Sequence, residues 1–237
     1  MTALRSWSAT HPGARRPNNE DAFIDRPDLG VWAVADGAGG HDAGEVASKM
    51  IVDALDGIPP DLPAADTLNE IRSRIAVVHD ALVAEATRRG PDVIIASTAV
   101  VLCVRGTHFA CLWAGDSRAY RLSDGVLEQV THDHSLVQEL VDAGQIEASA
   151  AESHPHANIV TRAVGAADAP FALDKVSDVL RPGERLLLCT DGLTKSVPET
   201  AIAALLRLDD PAEELIAAAL EREARDNVTV VVVEVPA

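Results

Sequence analysis

The chain has few residues of the kinds that mark nucleic-acid-binding, membrane or secreted proteins. Among its 237 residues, 20 are lysine or arginine and 37 are aspartate or glutamate, which gives a formal net charge of −17. A surface this negative repels phosphate backbones and anionic lipids, so no nucleic-acid or membrane partner is expected. No apolar run approaches the roughly 20 residues of a membrane span, and the N-terminus lacks the apolar core of a signal peptide. A cytoplasmic protein is predicted.

Cysteine is scarce, and its placement argues against disulfides, zinc binding and thiol catalysis. Cys103, Cys111 and Cys189 are odd in number and lie inside apolar segments without paired metal-ligand spacing. None lies in a glycine-rich, electropositive loop that would activate a thiolate, so buried thiols are predicted. Ser97 and Thr98 lack the GxSxG surroundings of a serine nucleophile and are assigned to strand packing.

The chain is long and apolar enough to bury one large core, so a single domain over residues 1–237 is predicted. After the first strands, an apolar stripe from Val46 to Leu55 predicts a helix that stops at Gly57. A second, longer helix carries apolar residues from Leu68 to Leu82. From Ile94 to Val130, strand-like runs joined by the short turns RG, GDS and SDG predict an antiparallel meander.

The segment 131–165 is more polar and is predicted to leave the core as a flap-like excursion. Strands return at FALDKVSDVL and RLLLCTD, and NVTVVVVEV forms a last strand near the end. Strands in the middle of the chain with helices before and after them favour an α+β sandwich over a doubly wound parallel sheet.

Aspartates recur where predicted strands meet loops, at Asp21, Asp36, Asp116, Asp191 and Asp226. One aspartate beside Gly or Asn is ordinary turn chemistry, but Asp36 and Asp191 each end a run apolar enough to be a buried strand. Buried carboxylates need a compensating cation, and no matching set of Lys or Arg lies nearby in sequence. A divalent metal is the simplest answer, and all-oxygen ligands suit Mg²⁺ or Mn²⁺ better than Zn²⁺.

Eight motifs in order resemble the metal-dependent Ser/Thr protein phosphatases of the PPM family, also called type 2C, in their compact bacterial form. They are RPNNED, VADGAGGHDAGEVAS, STAVVLCV, AGDSRAYRL, THDHSLVQELVDAGQI, HPHANIVTRAVG, LLLCTDGLT and DNVTVVVV. The resemblance implies a central β-sandwich of two antiparallel sheets flanked by helix pairs, in four αββα layers. It also implies a centre of two Mn²⁺ or Mg²⁺ ions at one end of the sandwich.

The resemblance assigns metal-binding roles to particular residues. Asp36 would bridge the two metals, and the Gly37 carbonyl would be a further ligand, because a residue without a Cβ lets the backbone approach an ion. Asp191 and Asp226 would complete the shell of one metal, and Glu20 that of the other, directly or through water. The implied reaction is hydrolysis of phosphoserine or phosphothreonine by a bridging metal-bound hydroxide, without a phosphoenzyme.

Further residues take supporting roles by the same resemblance. Asp21 would orient a metal-bound water, and Asp116 with Asp191 would hold a weaker third ion. Arg16 would grip the substrate phosphate, for which its planar fork of donors is suited. Ala38 departs from the family, since many eukaryotic relatives have a histidine there, proposed as general acid; metal-bound water is the default acid here.

Two histidine pairs in the segment 131–165 raise the alternative of a zinc site, but surface or substrate-facing roles are preferred. These are His132, His134, His154 and His156.

An active phosphoprotein phosphatase is the preferred function, because every implied metal-ligand position carries the expected acid. The alternatives are a catalytically weak, phosphoprotein-binding relative and a hydrolase of small phosphate esters. The sequence contains no kinase or sensor segment, so the chain is expected to act, as a monomer, on proteins phosphorylated by a separate bacterial Ser/Thr kinase. Similar stand-alone relatives occur beside kinases that control type VI secretion.

Overall fold

The structure is a computed structural model that describes residues 4–40, 43–166 and 171–236. Its strands are β1 (Arg5–His11), β2 (Asp21–Arg26), β3 (Val31–Gly39), β4 (Ile95–Ser97), β5 (Ala99–Arg105), β6 (His108–Ala114), β7 (Arg118–Ser123), β8 (Val126–Gln129), β9 (Asp174–Val179), β10 (Arg185–Cys189) and β11 (Val228–Glu234). Its helices are α1 (Ala43–Asp56), α2 (Ala64–Arg89), α3 (Leu136–Asp142), α4 (Asp191–Thr194), α5 (Glu199–Leu205) and α6 (Pro211–Glu221).

The strands form two antiparallel sheets. Sheet I has the order β1-β11-β10-β7-β8, and sheet II has the order β2-β3-β5-β6-β9, with β4 paired to β3. Helices α1 and α2 pack on sheet II, and α5 and α6 pack on sheet I. The layers are therefore αββα, which confirms the predicted α+β sandwich.

Strand β11 shows how the sequence places these layers. Its run VTVVVVE is apolar at nearly every position because both of its faces are covered. Val230 and Val232 pack against the helices on sheet I, whereas Val231 and Val233 pack into the interior between the two sheets. Because successive side chains of a strand point to opposite faces of the sheet, this one segment contributes to two hydrophobic cores.

The two long helices follow the predicted pattern. Helix α1 ends at Asp56, directly before Gly57, and α2 buries the predicted positions Ile71, Ile75 and Leu82 against sheet II. Within the described ranges, none of the helices has both the length and the apolar character needed to cross a membrane.

The predicted meander is wrong at the turn GDS. Strand β6 pairs with β5 and β9, and β7 pairs with β8 and β10, so β6 and β7 belong to different sheets. The chain crosses between the sheets at Gly115–Ser117, where Gly115 has a φ of +112° and a Cβ would meet the Thr98 side chain at 2.6 Å. A three-residue connection has the same sequence signals whether it joins neighbours in one sheet or links two sheets.

The segment 131–165, predicted as an excursion, contains α3 and a short 3₁₀ turn at Ala148–Ala150. Single β-bridges join Ser135 to Val160 and Ser97 to Val164. Its end is thereby fixed beside β4, which pairs with β3.

The cysteines are buried free thiols, as predicted. Burial raises the pKa of Cys111 and of Cys189 to about 12 in each case. Neither thiol is therefore available as a thiolate nucleophile near neutral pH.

Candidate metal centre

Acidic residues from five separate segments meet in one pocket of about 1550 Å³. Because neighbouring strands are antiparallel, the start of β2 lies beside the end of β3, and the end of β10 lies beside the start of β11. The carboxylates predicted at these strand ends therefore converge. The pocket is lined by Glu20, Asp36, Asp116, Asp191 and Asp226, together with Gly37 and Arg16.

Asp36 is the central carboxylate of this group. It lies in β3 directly opposite Asp21 of β2, and its backbone N–H donates to Thr98 Oγ1 at 3.0 Å. Burial raises the pKa of Asp36 well above its usual value, and the charges of Asp21 and Asp191 raise it further. Ionised Asp36 is thus costly in the folded protein unless a cation is bound beside it.

Asp21 is buried behind the pocket lining, between the two sheets. Its Oδ2 atom accepts hydrogen bonds from Thr190 Oγ1 at 2.8 Å and Thr229 Oγ1 at 2.7 Å. Its Oδ1 atom is buried without a hydrogen-bond partner. Burial raises the pKa of Asp21 to about 7, against the opposing effect of the two hydroxyls.

Asp116 lies on the crossing between the sheets and is buried. Burial raises the pKa of its carboxyl to about 7, with a further contribution from the charge of Asp191. The crossing is held by His134, whose Nδ1 accepts from Gly115 N at 3.1 Å and whose backbone N–H donates to Gly115 O at 3.0 Å. His134 is therefore an internal structural residue, and a surface role for it is wrong.

Two carboxylates of the pocket already have cationic partners. Lys195 Nζ contacts Asp191 Oδ2 and also donates to Asn158 Oδ1 at 2.8 Å. Arg16 Nη2 donates to Asp226 Oδ2 at 2.9 Å. The expectation that no cation lies near these acids in sequence is wrong for Lys195, which follows Asp191 by one helical turn.

Asn227 is a functional-site residue that the sequence reasoning missed. Its Oδ1 atom accepts from Glu20 N at 2.8 Å, and its Nδ2 atom donates to Pro12 O and Asn18 O at 3.0 and 2.9 Å. These bonds fix the N-terminal loop that carries Arg16 and Glu20. The sequence signals for it were the adjacent Asp226 and its place in the motif DNVTVVVV.

Glycines let the backbone of the site pack without intervening side chains. A Cβ on Gly37 would lie 2.0 Å from Gly44 O and 2.7 Å from Glu20 O. A Cβ on Gly192 would lie 1.9 Å from Asn227 O. The missing Cβ at Gly37, inside β3, thus permits close approach to the start of α1.

Replacing Gly192 by alanine is expected to destabilise the protein, because α4 or the start of β11 must move to admit the methyl group. We expect a fall in Tm of roughly 5 °C or more, since overpacking costs about 1–3 kcal/mol and each kcal/mol shifts Tm by about 2–4 °C in a chain of this size. Gly40→Ala is the matched control, because its Cβ would have no atom of the described residues within 4 Å. Equal melting temperatures for the two variants, measured by calorimetry, would contradict this packing argument.

The carboxylate oxygens of the pocket are ligands that divalent cations prefer, although several of them bond to other side chains in this structure. Over the residues described, no group of three or more His, Cys, Asp or Glu side chains is arranged to hold a metal ion as it stands. Lys195, Arg16 and the two threonines take the carboxylate oxygens instead. However, Oδ1 of Asp21 and Oδ1 of Asp191 are buried without partners, and such orphaned acceptors suit oxygen-preferring ions such as Mg²⁺ and Mn²⁺.

Replacing Lys195 by glutamine is expected to tighten binding of Mn²⁺ by about three- to tenfold, because the competing ammonium group is removed from its partly exposed ion pair with Asp191. Isothermal titration of Mn²⁺ into metal-stripped protein would measure this. Lys49→Gln removes the same charge at an exposed pair with Asp53 on α1 and serves as control. Weaker binding in Lys195→Gln than in Lys49→Gln would show that the lysine supports the site instead of competing for it.

The flap histidines give the zinc alternative no support. His132 Nε2 pairs with Asp142 Oδ2 at 2.7 Å, whereas His134 Nε2 pairs with Asp174 Oδ2 at 3.2 Å. The rings of His154 and His156 lie 5.5 Å apart, and their segment contributes Asn158 and Val160 to the pocket lining.

The fold and site place this chain in the protein phosphatase 2C family, to which it belongs by a match over residues 13–229. The serine/threonine protein phosphatase PstP of Mycobacterium tuberculosis is 36% identical over 236 residues, covering 98% of this chain and 45% of PstP. The chain thus spans about half the length of that relative. The resemblance to the PPM family is confirmed.

Solved structures of family members match the whole fold. PppA of Pseudomonas aeruginosa, described as a key regulatory component of T6SS, has a TM-score of 0.90 and 42% identity, with 98% of each chain covered. The catalytic domain of a phosphatase PstP in complex with two manganese ions has a TM-score of 0.88 and 34% identity, with 99% of each chain covered.

Proposed function

We propose that this chain is a metal-dependent phosphatase that hydrolyses phosphoserine and phosphothreonine in proteins. The observation that carries the proposal is the convergence of five acidic segments and Arg16 in one pocket at the end of the sandwich. Membership of the protein phosphatase 2C family and the serine/threonine phosphatase names of its relatives support the same reaction. The PstP structure with two manganese ions supports a centre that binds two Mn²⁺ or Mg²⁺ ions.

The residues that would hold the ions are all oxygen donors. When bound, the ions would lower the pKa of coordinated water from 15.7 towards about 7 and neutralise charge on the phosphoryl group. The proposed ligands are Glu20, Asp36, the Gly37 carbonyl, Asp191 and Asp226, with Asp116 and Asp191 at a weaker third site.

Side chains of this protein would perform the remaining steps. Arg16 is half-exposed at the pocket, so its guanidinium can exchange Asp226 for the oxygens of a substrate phosphate. Oδ1 of Asp21 has no partner and can accept a hydrogen bond from the attacking water, which orients that water. Ala38 is exposed at the pocket and has no titratable group, so a water that the ions would hold remains the expected proton donor for the leaving alkoxide.

Direct attack by water, without a phosphoenzyme, is also supported by what lies around the pocket. Ser97 is buried and donates to Thr98 O at 2.8 Å, and Thr98 Oγ1 is shared with Asp36 N and Ser117 Oγ. The buried thiols have raised pKa values, as described above. None of these particular side chains is thus positioned as a nucleophile.

The biological setting is inferred from the relatives. A cytoplasmic monomer that opposes a separate bacterial Ser/Thr kinase fits the negative surface and the family. The T6SS role stated for PppA makes a kinase of type VI secretion one candidate system.

Turnover on two substrate classes separates this proposal from its alternatives. We expect Mn²⁺-loaded protein to hydrolyse phosphothreonine peptides with a higher kcat/KM than p-nitrophenyl phosphate, because the open pocket extends beyond the carboxylates. A preference for the small ester would favour an ester hydrolase. Tight binding of phosphopeptide without turnover of either compound would favour a binding protein.

A further inference from the structure

One side of the pocket is lined by three arginines in two loops. Arg16 lies in the loop before β2, and Arg222 and Arg225 lie between α6 and β11. The loops are joined by a hydrogen bond from Ala14 N to Ala224 O at 2.7 Å and by the Asn227 side chain described above. The three guanidinium groups therefore belong to one continuous surface, which we call the arginine rim.

Two of the three arginines of the rim lack an acidic partner, whereas Arg16 is paired with Asp226. Arg222 and Arg225 are both exposed, and neither forms an ion pair with any described residue. The Arg222 side chain donates to the Ala218 carbonyl at 2.8 Å. Glu223 also lines the pocket but is not paired with either arginine. Two cationic groups are therefore available for an anion.

The position of the rim restricts where such an anion would lie. Arg225 directly precedes Asp226, which belongs to the proposed metal centre. An extended peptide advances about 3.3 Å per residue, so a group held by Arg225 would lie within a few residues of the reacting phosphate. The net charge of −17 opposes binding of anions only weakly at this distance, because salt screens exposed charges beyond about 10 Å at 0.1 M.

We infer that the arginine rim binds anionic groups that flank the target residue, so that acidic or multiply phosphorylated segments are the preferred protein substrates. The inference rests on the proposed function and specifies its substrate class. Arginine presents a planar fork of donors that matches both carboxylate and phosphate, so the two sources share one chemistry. Arg222 and Arg225 act as specificity residues and take no part in the hydrolysis itself.

The test compares three phosphothreonine peptides of equal length, with neutral flanks, with Asp and Glu flanks, or with a second phosphothreonine. Metal-loaded wild type, Arg225→Gln and Arg222→Gln are assayed at about 0.1 M salt, where the net charge of the chain is screened. Arg5→Gln is the matched control, because Arg5 is an exposed arginine on β1 that does not line the pocket. Turnover of p-nitrophenyl phosphate, which has no flanking residues, monitors the catalytic centre in every variant.

We expect wild type and Arg5→Gln to favour an anionic peptide by about tenfold in kcat/KM, as two exposed ion pairs would allow. Each rim variant should reduce the preference to about two- to threefold, mainly through KM, with turnover of the small ester changed less than twofold. A higher kcat/KM for both anionic peptides than for the neutral peptide would identify a general anion site. A higher kcat/KM for the doubly phosphorylated peptide alone would identify a phosphate site. Equal kcat/KM for all three peptides in wild type, or the same loss in Arg5→Gln, would overturn the inference.

Failure of the proposed function can be distinguished experimentally from failure of the inference about the arginine rim. If wild type hydrolyses neither peptides nor ester, fluorescence anisotropy of the labelled peptides tests the rim by itself. Tighter binding of the anionic peptides to wild type than to Arg225→Gln would then support the rim, and equal binding would overturn it.

Discussion

Asp36→Asn is expected to abolish metal-dependent turnover and, at the same time, to stabilise the metal-free protein. Loss of one preorganised charged group at a catalytic centre costs about 10²–10³-fold in kcat, and Asp36 is the proposed ligand common to both ions. Stability should change in the opposite direction, because asparagine has nearly the same shape and carries no charge among Asp21, Asp191 and Asp116.

The pH dependence gives this prediction its sign. The folded-state pKa of Asp36 is raised above the unfolded value, so ionisation of Asp36 destabilises the folded protein as pH rises through that raised pKa. The gain from asparagine should therefore be absent at acidic pH and complete at alkaline pH. At about 1.4 kcal/mol per pKa unit, a rise in Tm on the order of 5 °C is expected at pH 8 in EDTA.

Differential scanning calorimetry in EDTA at pH 5 and pH 8 measures whether the gain in Tm from Asp36→Asn grows as pH rises. Asp61→Asn is the control, because Asp61 is an exposed loop residue with a φ of 64°, a conformation that Asn adopts as readily as Asp. A metal-free Asp36→Asn protein that melts below wild type at pH 8 would show that Asp36 is stabilised by protein contacts alone.

The second prediction concerns the wild-type protein and its metal. Without metal, stability should fall as pH rises from about 5 to 8, because burial raises the pKa values of Asp21 and Asp116 to about 7. The folded state then binds more protons than the unfolded state across this window, which is the condition for stability to decrease with pH.

Mg²⁺ should reverse this loss, since it replaces protons as the compensating charge. At a hundred times its Kd, a ligand contributes about 2.7 kcal/mol, which corresponds to a rise in Tm of roughly 5–10 °C. We expect a much larger rise at pH 8 than at pH 5, where protons compete for the carboxylates. An equal rise at both pH values, or the same rise in Asp191→Asn, would mean that the ion binds elsewhere.

Much of the site could be predicted because its signals are local. Asp36 and Asp191 each follow an apolar run that is buried on both faces of a sheet, although β3 continues past Asp36 to Gly39. A carboxylate in that position needs a partner whatever the tertiary structure. The order of strand and helix blocks similarly defined the sandwich, since short turns restrict which strands pair.

The remaining features depend on contacts between distant parts of the chain. Arg16 reaches Asp226 across 210 residues, and Asn227 binds the loop before β2, so neither contact has a local pattern. A surface or substrate-facing role was predicted for His134 because it lies in the flap-like segment 131–165, yet its ring is buried against the crossing at Gly115. Lys195 is the exception, because its spacing of four residues from Asp191 in a helical turn was visible in the sequence.

The most direct test of the metal centre is a titration of metal-stripped protein with Mn²⁺ that follows bound ions and hydrolysis of a phosphothreonine peptide together. We predict about two ions bound per chain by wild type, as in the PstP complex, with turnover appearing as the sites fill. Asp191→Asn, run in parallel, should lose both. Full turnover in EDTA, or undiminished binding and turnover in Asp191→Asn, would contradict the assignment of these carboxylates as the metal site.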